Sequence, residues 1–222
     1  MHVLHYAPDN ASLIVRLALL VTGEPFETVL VDRPGALDST AFRALNPAGR
    51  VPALETPEGP MFETAAILLW LAERHPDAGL APPPGHPDRA AFLAWLFFLS
   101  NTPHADLRHL FYPDRHATPE GQAGHRALTI ARMRDHFHIV DRAARDRPDL
   151  FALPSALTLY ACTLVRWAVL YPARQEPWCD PADYPALHAL SKALDMHPAA
   201  VKAAQDEGLG PHPFARPTPI PT

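Results

Sequence analysis

A chain of 222 residues, 48% of them hydrophobic, is long enough to bury a sizeable core, as one large domain or two small ones. A formal net charge of -5 and a pI near 6.2 supply no basic stripe of the kind a phosphate backbone needs, so a nucleic-acid role lacks support and a small molecule or a protein is the expected partner. Cys162 and Cys179 occur in neither a CxxC pair nor a metal-ligand spacing and read as reduced thiols of a cytoplasmic protein. The apolar stretch Ser12 to Val21 is short, is interrupted by Arg16 and follows no Lys or Arg, so it fails as a signal peptide and as a membrane span.

In chain order, His2 to Tyr6 reads as a strand, Ser12 to Thr22 as a helix closed by Gly23, and Glu27 to Val31 as a second strand. Ser39 to Leu45 suits a short helix. Pro52 to Glu55 and Met61-Phe62 read as strands joined by the turn Pro57-Glu58-Gly59-Pro60, and a helix follows from Thr64 to Arg74. The order βαβ then αββα predicts a layered α/β domain over residues 1–79. Residues 80–88 hold four prolines, Pro82, Pro83, Pro84 and Pro87, and read as a linker. Over residues 89–207 the helix-length segments Arg89 to Tyr112, Glu120 to Arg145 and Ser155 to Leu170 predict an all-helical second domain. The proline-rich tail 208–222 is expected to lie extended on the surface or to be disordered.

The most informative run is Asn46-Pro47-Ala48-Gly49-Arg50-Val51-Pro52-Ala53-Leu54-Glu55, followed eleven residues after Pro52 by Glu63-Thr64 at the head of an apolar helix. If the bond before Pro52 is cis, the backbone of Val51 can pair with an extended peptide-like ligand; a trans proline on an edge strand is the commoner state. A helix start attracts a carboxylate and Glu63 can hold an amine, although a plain helix cap also explains the Glu63-Thr64 pair. Arg50 suits a second carboxylate or simply solvent. Ser12 opens the first helix, where a hydroxyl and the helix end together can lower a thiol pKa from about 8.5; its plainer role is an N-terminal cap. Asn101, His104, Arg108 and Tyr112 recur at spacings of three, four and four, and so share one face of a single helix, unless Pro103 kinks it. The 13 histidines show no metal-ligand spacing: His136 and His138 fall on different helix faces. There is also no glycine-rich phosphate loop and no GxSxG elbow.

Taken together, residues 2 to 206 resemble the glutathione S-transferase family, through Asn46 to Leu54, then Glu63-Thr64-Ala65-Ala66-Ile67, then Leu71-Ala72-Glu73. The resemblance implies a thioredoxin-like N-terminal domain followed by an all-α C-terminal domain, glutathione as co-substrate and no metal. It implies that glutathione is held by Val51, Pro52, Glu63 and Thr64; with Asn10 and Arg50 added to that site, the expected catalytic residues are Ser12 and His104. A second-substrate pocket of Tyr6, Asn101, Arg108 and Tyr112 would take a small hydrophobic electrophile. Ser100-Asn101-Thr102-Pro103-His104 is similar to the bacterial beta-class segment whose histidine reaches the tripeptide, and the family suggests a homodimer with no membrane partner. Beta-class members usually carry a cysteine where this chain has Ala11, and the family's helix-start pattern Ser-x-x-Asp appears as Ser155-Ala156-Leu157-Thr158. A non-catalytic glutathione- or protein-binding member, and a glutathione-dependent isomerase or dehalogenase, are the alternatives.

Overall fold

The computed structural model describes residues 1–31, 35–172 and 176–220. The first part runs β1 (His2–Tyr6), α1 (Ala11–Thr22), β2 (Phe26–Leu30), α2 (Thr40–Leu45), β3 (Ala53–Thr56), β4 (Gly59–Phe62) and α3 (Thr64–Arg74). The sheet order is β2-β1-β3-β4, with β1 parallel to β2 and antiparallel pairing from β1 through β3 to β4. This is a mixed thioredoxin-like sheet. Leu4 and Leu54 are partners across β1 and β3, and both pack with the apolar faces of α1 and α3. A smaller cluster of Ala7, Val31, Phe42, Val51 and Ala53 places α2 in a separate packing layer. Alternation along a strand sends Ala53 and Leu54 to these two sides.

Local chemistry sets the element ends. Gly23 closes α1 in the left-handed region at φ 71°, where a side chain would be strained. Ser39 caps α2 by accepting the Phe42 amide at 3.1 Å.

The second part is helical: α4 (Arg89–Asn101), α5 (Pro103–Phe111), α6 (Gln122–Asp146), α7 (Ala156–Leu170), α8 (Pro185–Asp195) and α9 (Pro198–Glu207). The single helix expected over Arg89 to Tyr112 is two helices. Pro103 has no amide proton to continue α4 and instead takes the first position of α5, where none is needed. Both α8 and α9 also open on proline. The weakened Ser-x-x-Thr start of α7 is repaired differently: Ser155 Oγ accepts the Leu157 amide, and Thr158 Oγ1 donates back to the Phe151 carbonyl. One continuous core joins the two parts, with Leu13, Ile14 and Leu17 of α1 in the same cluster as Leu157, Tyr160 and Leu164 of α7.

The tail is not an extended surface strand. Leu209 and Phe214 are buried, Asp195 accepts the amides of Phe214 (2.8 Å) and Ala215 (3.1 Å), and Arg166 donates to the Pro213 carbonyl (2.7 Å). Those bonds offset the entropy that would otherwise leave a proline-rich terminus loose. Pro221 and Thr222 lie outside the described residues. Among the described residues no helix is long and apolar enough to cross a membrane, and no group of three or more His, Cys, Asp or Glu is arranged to hold a metal ion.

Candidate functional site

The turn that precedes β3 is built by Asn46. Its Oδ1 accepts the Ala48 amide at 3.0 Å, its Nδ2 donates to the Arg50 carbonyl at 2.6 Å, and its own carbonyl accepts the Gly49 amide at 2.9 Å. Gly49 has φ 61°, and a Cβ there would lie 2.9 Å from the Leu37 carbonyl oxygen, so glycine is required. This turn delivers Val51 and the cis bond to Pro52. Val51 is buried, yet among the described residues neither its amide nor its carbonyl has a hydrogen-bond partner. Buried backbone groups are paired almost without exception, so this edge invites a ligand strand.

Across from it, Glu63 stands before α3 at φ 71° and ψ 112°, a region that costs a non-glycine residue on the order of 1–3 kcal/mol. Its carboxylate makes no cap and meets no cation within 4 Å among the described residues. The strain thus presents an unpaired carboxylate beside Thr64 and the free amides of the α3 N-terminus. Asn10 caps α1, its Oδ1 accepting the Ala11 amide at 2.9 Å.

Ser12 requires a correction. Its side chain is 0% exposed, and its Oγ donates to the Ala7 carbonyl at 3.1 Å while accepting the Ala7 amide at 3.3 Å. The hydroxyl fastens the β1–α1 turn, and stabilising a thiolate would mean giving up that bond inside the core. The polar stripe needs one too. Asn101 ends α4, exposed, and the break at Pro103 separates it from His104 and Arg108, which share a face of α5; Tyr112 is the α5 cap residue beneath Arg115, 4.8 Å from its ring centroid. Tyr6 is packed against Arg16, whose guanidinium lies 4.5 Å from its ring centroid.

His104 is better placed than the sequence could show. Its Nδ1 is 2.7 Å from the Tyr160 hydroxyl and its ring is 5.4 Å from that of Trp167, both on α7. Burial first, then the neighbouring Arg108 charge, pull its pKa down to about 4, so the ring is neutral at pH 7. Burial also pushes the Tyr160 pKa up. A phenol that stays protonated can give its proton to His104 Nδ1. In that tautomer the neutral ring carries its proton on Nε2, which has no partner among the described residues.

Residues not singled out in the sequence complete the site. Asp9, buried and at φ 51°, accepts from Arg166 Nε and Nη2 (2.8 Å each), Trp167 Nε1 (2.9 Å) and Tyr171 hydroxyl (2.7 Å). Its amide donates to Glu207, which also receives Arg16 Nε at 2.7 Å. The only sign in the sequence was Arg166, a lone charge inside the apolar run Ser155 to Leu170. Both cysteines are free and buried, with burial pushing each thiol up to about 12, so neither is a nucleophile. A separate concavity of about 370 Å³ beside His109, Gln122 and Arg126 includes none of the residues above.

The family model described as glutathione S-transferase, N-terminal domain, matches residues 4–83. Glutathione S-transferase GstA of Escherichia coli O157:H7 is 30% identical over 172 residues, 74% of this chain and 81% of that protein. The structure of a sphingomonad glutathione S-transferase complexed with glutathione has a TM-score of 0.77 at 32% identity, covering 94% of this chain and 100% of that one. A bacterial beta-class glutathione S-transferase of Sphingomonas chungbukensis has a TM-score of 0.76 at 28% identity, covering 93% and 98%. With the sheet, the helical second part and a relative of this coverage in agreement, the chain belongs to the glutathione S-transferase family.

Proposed function

We propose that this transferase adds the thiolate of glutathione to a small electrophile. The observation that carries the reading is the backbone of buried Val51, unpaired among the described residues, set opposite the Glu63 carboxylate, which is likewise unpaired among them. The cysteinyl unit pairs with Val51 beside Pro52, the amine meets Glu63, and the γ-glutamyl carboxylate takes Thr64 and the α3 amides. Arg50 receives the glycyl carboxylate. Residues 1–79 hold the tripeptide in this reading, and 89–207 supply the second substrate's side of the cleft.

His104, rather than Ser12, donates to the sulfur, from Nε2. Lowering a thiol pKa by about 2 units requires roughly 2.7 kcal/mol. One hydrogen bond to a charged acceptor contributes about 1.5–3 kcal/mol, and the start of α1 adds about 0.3–1 kcal/mol. The two cover the requirement. A neutral donor also suits the task better than an imidazolium, because it returns no proton to the thiolate. In the same reading the chain works in the cytoplasm as a homodimer, which sedimentation would test.

Titration calorimetry with glutathione, alongside spectroscopic measurement of the bound thiol's pKa, tests the proposal. Micromolar to millimolar binding with a thiol pKa well below about 8.5 is expected. No heat of binding, or a bound thiol that titrates like the free one, refutes it. Ala11, in place of a beta-class cysteine, favours a second reading of glutathione binding without turnover. Binding with no conjugate formed from several electrophiles would select that reading, and product analysis would separate isomerisation or dehalogenation from addition.

A further inference from the structure

The second-substrate side of the cleft is more cationic than a hydrophobic electrophile needs. Arg108 lies one turn after His104 on the same face of α5, and Arg115 follows after the short turn at Pro113, its guanidinium over the Tyr112 ring. Arg50 stands in the turn before β3: its charge, after burial, is the largest influence lowering the Arg108 pKa, and Arg115 adds to it against Tyr112 and Glu63. Among the described residues, no carboxylate oxygen comes within 4 Å of a nitrogen of Arg50, Arg108 or Arg115. By contrast, Arg132 is paired with Asp106 and Arg147 with Asp88.

The charges of the tripeptide do not account for this excess. Its amine goes to Glu63, one carboxylate to the α3 N-terminus and the other to Arg50, which leaves Arg108 and Arg115 with nothing to neutralise. A partly buried guanidinium on the same helix face as His104, within the influence of other cations, suits an anion. We infer that the second substrate is an electrophile bearing a carboxylate, which Arg108 binds with Arg115 beside it, so that the reacting carbon is presented to the thiolate near His104. The inference rests on the glutathione reading above and names the substrate class for that same site.

A matched pair of probes tests it: 4-chloro-3-nitrobenzoate and 4-chloro-3-nitrobenzamide. In both, the thiolate attacks the chlorine-bearing ring carbon, the carbon–sulfur bond forms, and chloride leaves with the bonding pair. Each kcat/KM is divided by that probe's uncatalysed rate with glutathione, which removes intrinsic reactivity. The benzoate is expected to be favoured about tenfold at low salt, less as ionic strength rises. Arg108→Gln should bring the ratio close to one, and Arg108→Lys should keep part of it. Calorimetry with the two purified S-aryl glutathione conjugates reads the same preference as a Kd ratio without turnover. Both probes converted, or both conjugates bound, with no benzoate preference would overturn this inference and leave the glutathione reading standing. Failure of glutathione and of both conjugates to bind would overturn the glutathione reading, and this inference with it.

Discussion

Replacing Tyr160 by Phe removes one oxygen and nothing else from a fully buried ring, so it isolates the bond to His104 Nδ1, 2.7 Å long. Two consequences follow. The Nδ1 lone pair loses its donor in a site too desolvated for water to replace it cheaply, which costs about 1–3 kcal/mol of stability. The ring is also released from the tautomer that keeps its proton on Nε2. A hydrogen bond worth about 1.4 kcal/mol biases that equilibrium tenfold, so loss of the bias lowers the thiolate-donating fraction and is expected to reduce kcat/KM by up to about tenfold. Nitrogen-15 NMR of the histidine ring reads the tautomer directly, and urea unfolding together with conjugation kinetics reads the rest. A wild-type His104 protonated on Nδ1 would refute the reasoning, and so would a folded Tyr160→Phe protein with unchanged tautomer and rate.

Three further outcomes are expected. Asp9→Asn leaves the Arg166 guanidinium buried without its countercharge and should lower the unfolding free energy by about 3–5 kcal/mol in urea titrations; a loss below about 1 kcal/mol would mean that the Pro213 and Thr218 carbonyls suffice for Arg166. Ser12→Ala should cost about 1–3 kcal/mol of stability through the orphaned Ala7 groups, with the pKa of the bound thiol unchanged, and a raised thiol pKa would return Ser12 to the mechanism. Because His104 has a folded pKa of about 4, below its reference 6.5, only the unfolded chain holds that proton between the two values. Stability is therefore lost as pH falls through that window, by up to about 3 kcal/mol from this residue, and His104→Gln should flatten the slope measured by urea unfolding at stepped pH.

The parts of the site held by local chemistry could be read from sequence. The Asn46 turn, the glycine at a left-handed position and the Glu63-Thr64 helix start all act within a few residues of themselves, so spacing carries them. Pro103 is plain in the sequence, but its effect is not: a proline inside a helical pattern reads as a kink, whereas the chain starts afresh from it, as α5, α8 and α9 all do. Ser12 could not be assigned from its position, since a hydroxyl in the first helical turn fits a cap, a staple or a thiol donor equally well. Only the 3.1 Å bond to Ala7 decides between them. Asp9 was hidden for the opposite reason: its partners lie about 160 residues away, and no local period reports them.

The helix that organises the site is one whose sequence shows mainly hydrophobicity. In α7, nearly every residue from Ala156 to Leu170 is buried, so periodicity cannot say which side chains face which neighbour. Tyr160 and Trp167 are seven residues apart and fall on one face. The first fixes His104 on α5, and the second donates to Asp9 in the turn that opens α1 while touching the His104 ring. Arg166 extends the grip from Asp9 to the tail carbonyls of Pro213 and Thr218. One rigid face thus sets the distance between the proposed sulfur donor and the helix start that shares its task. If that is so, disturbing Asp9 should affect thiol ionisation as well as folding, because Trp167 both donates to Asp9 and touches the His104 ring.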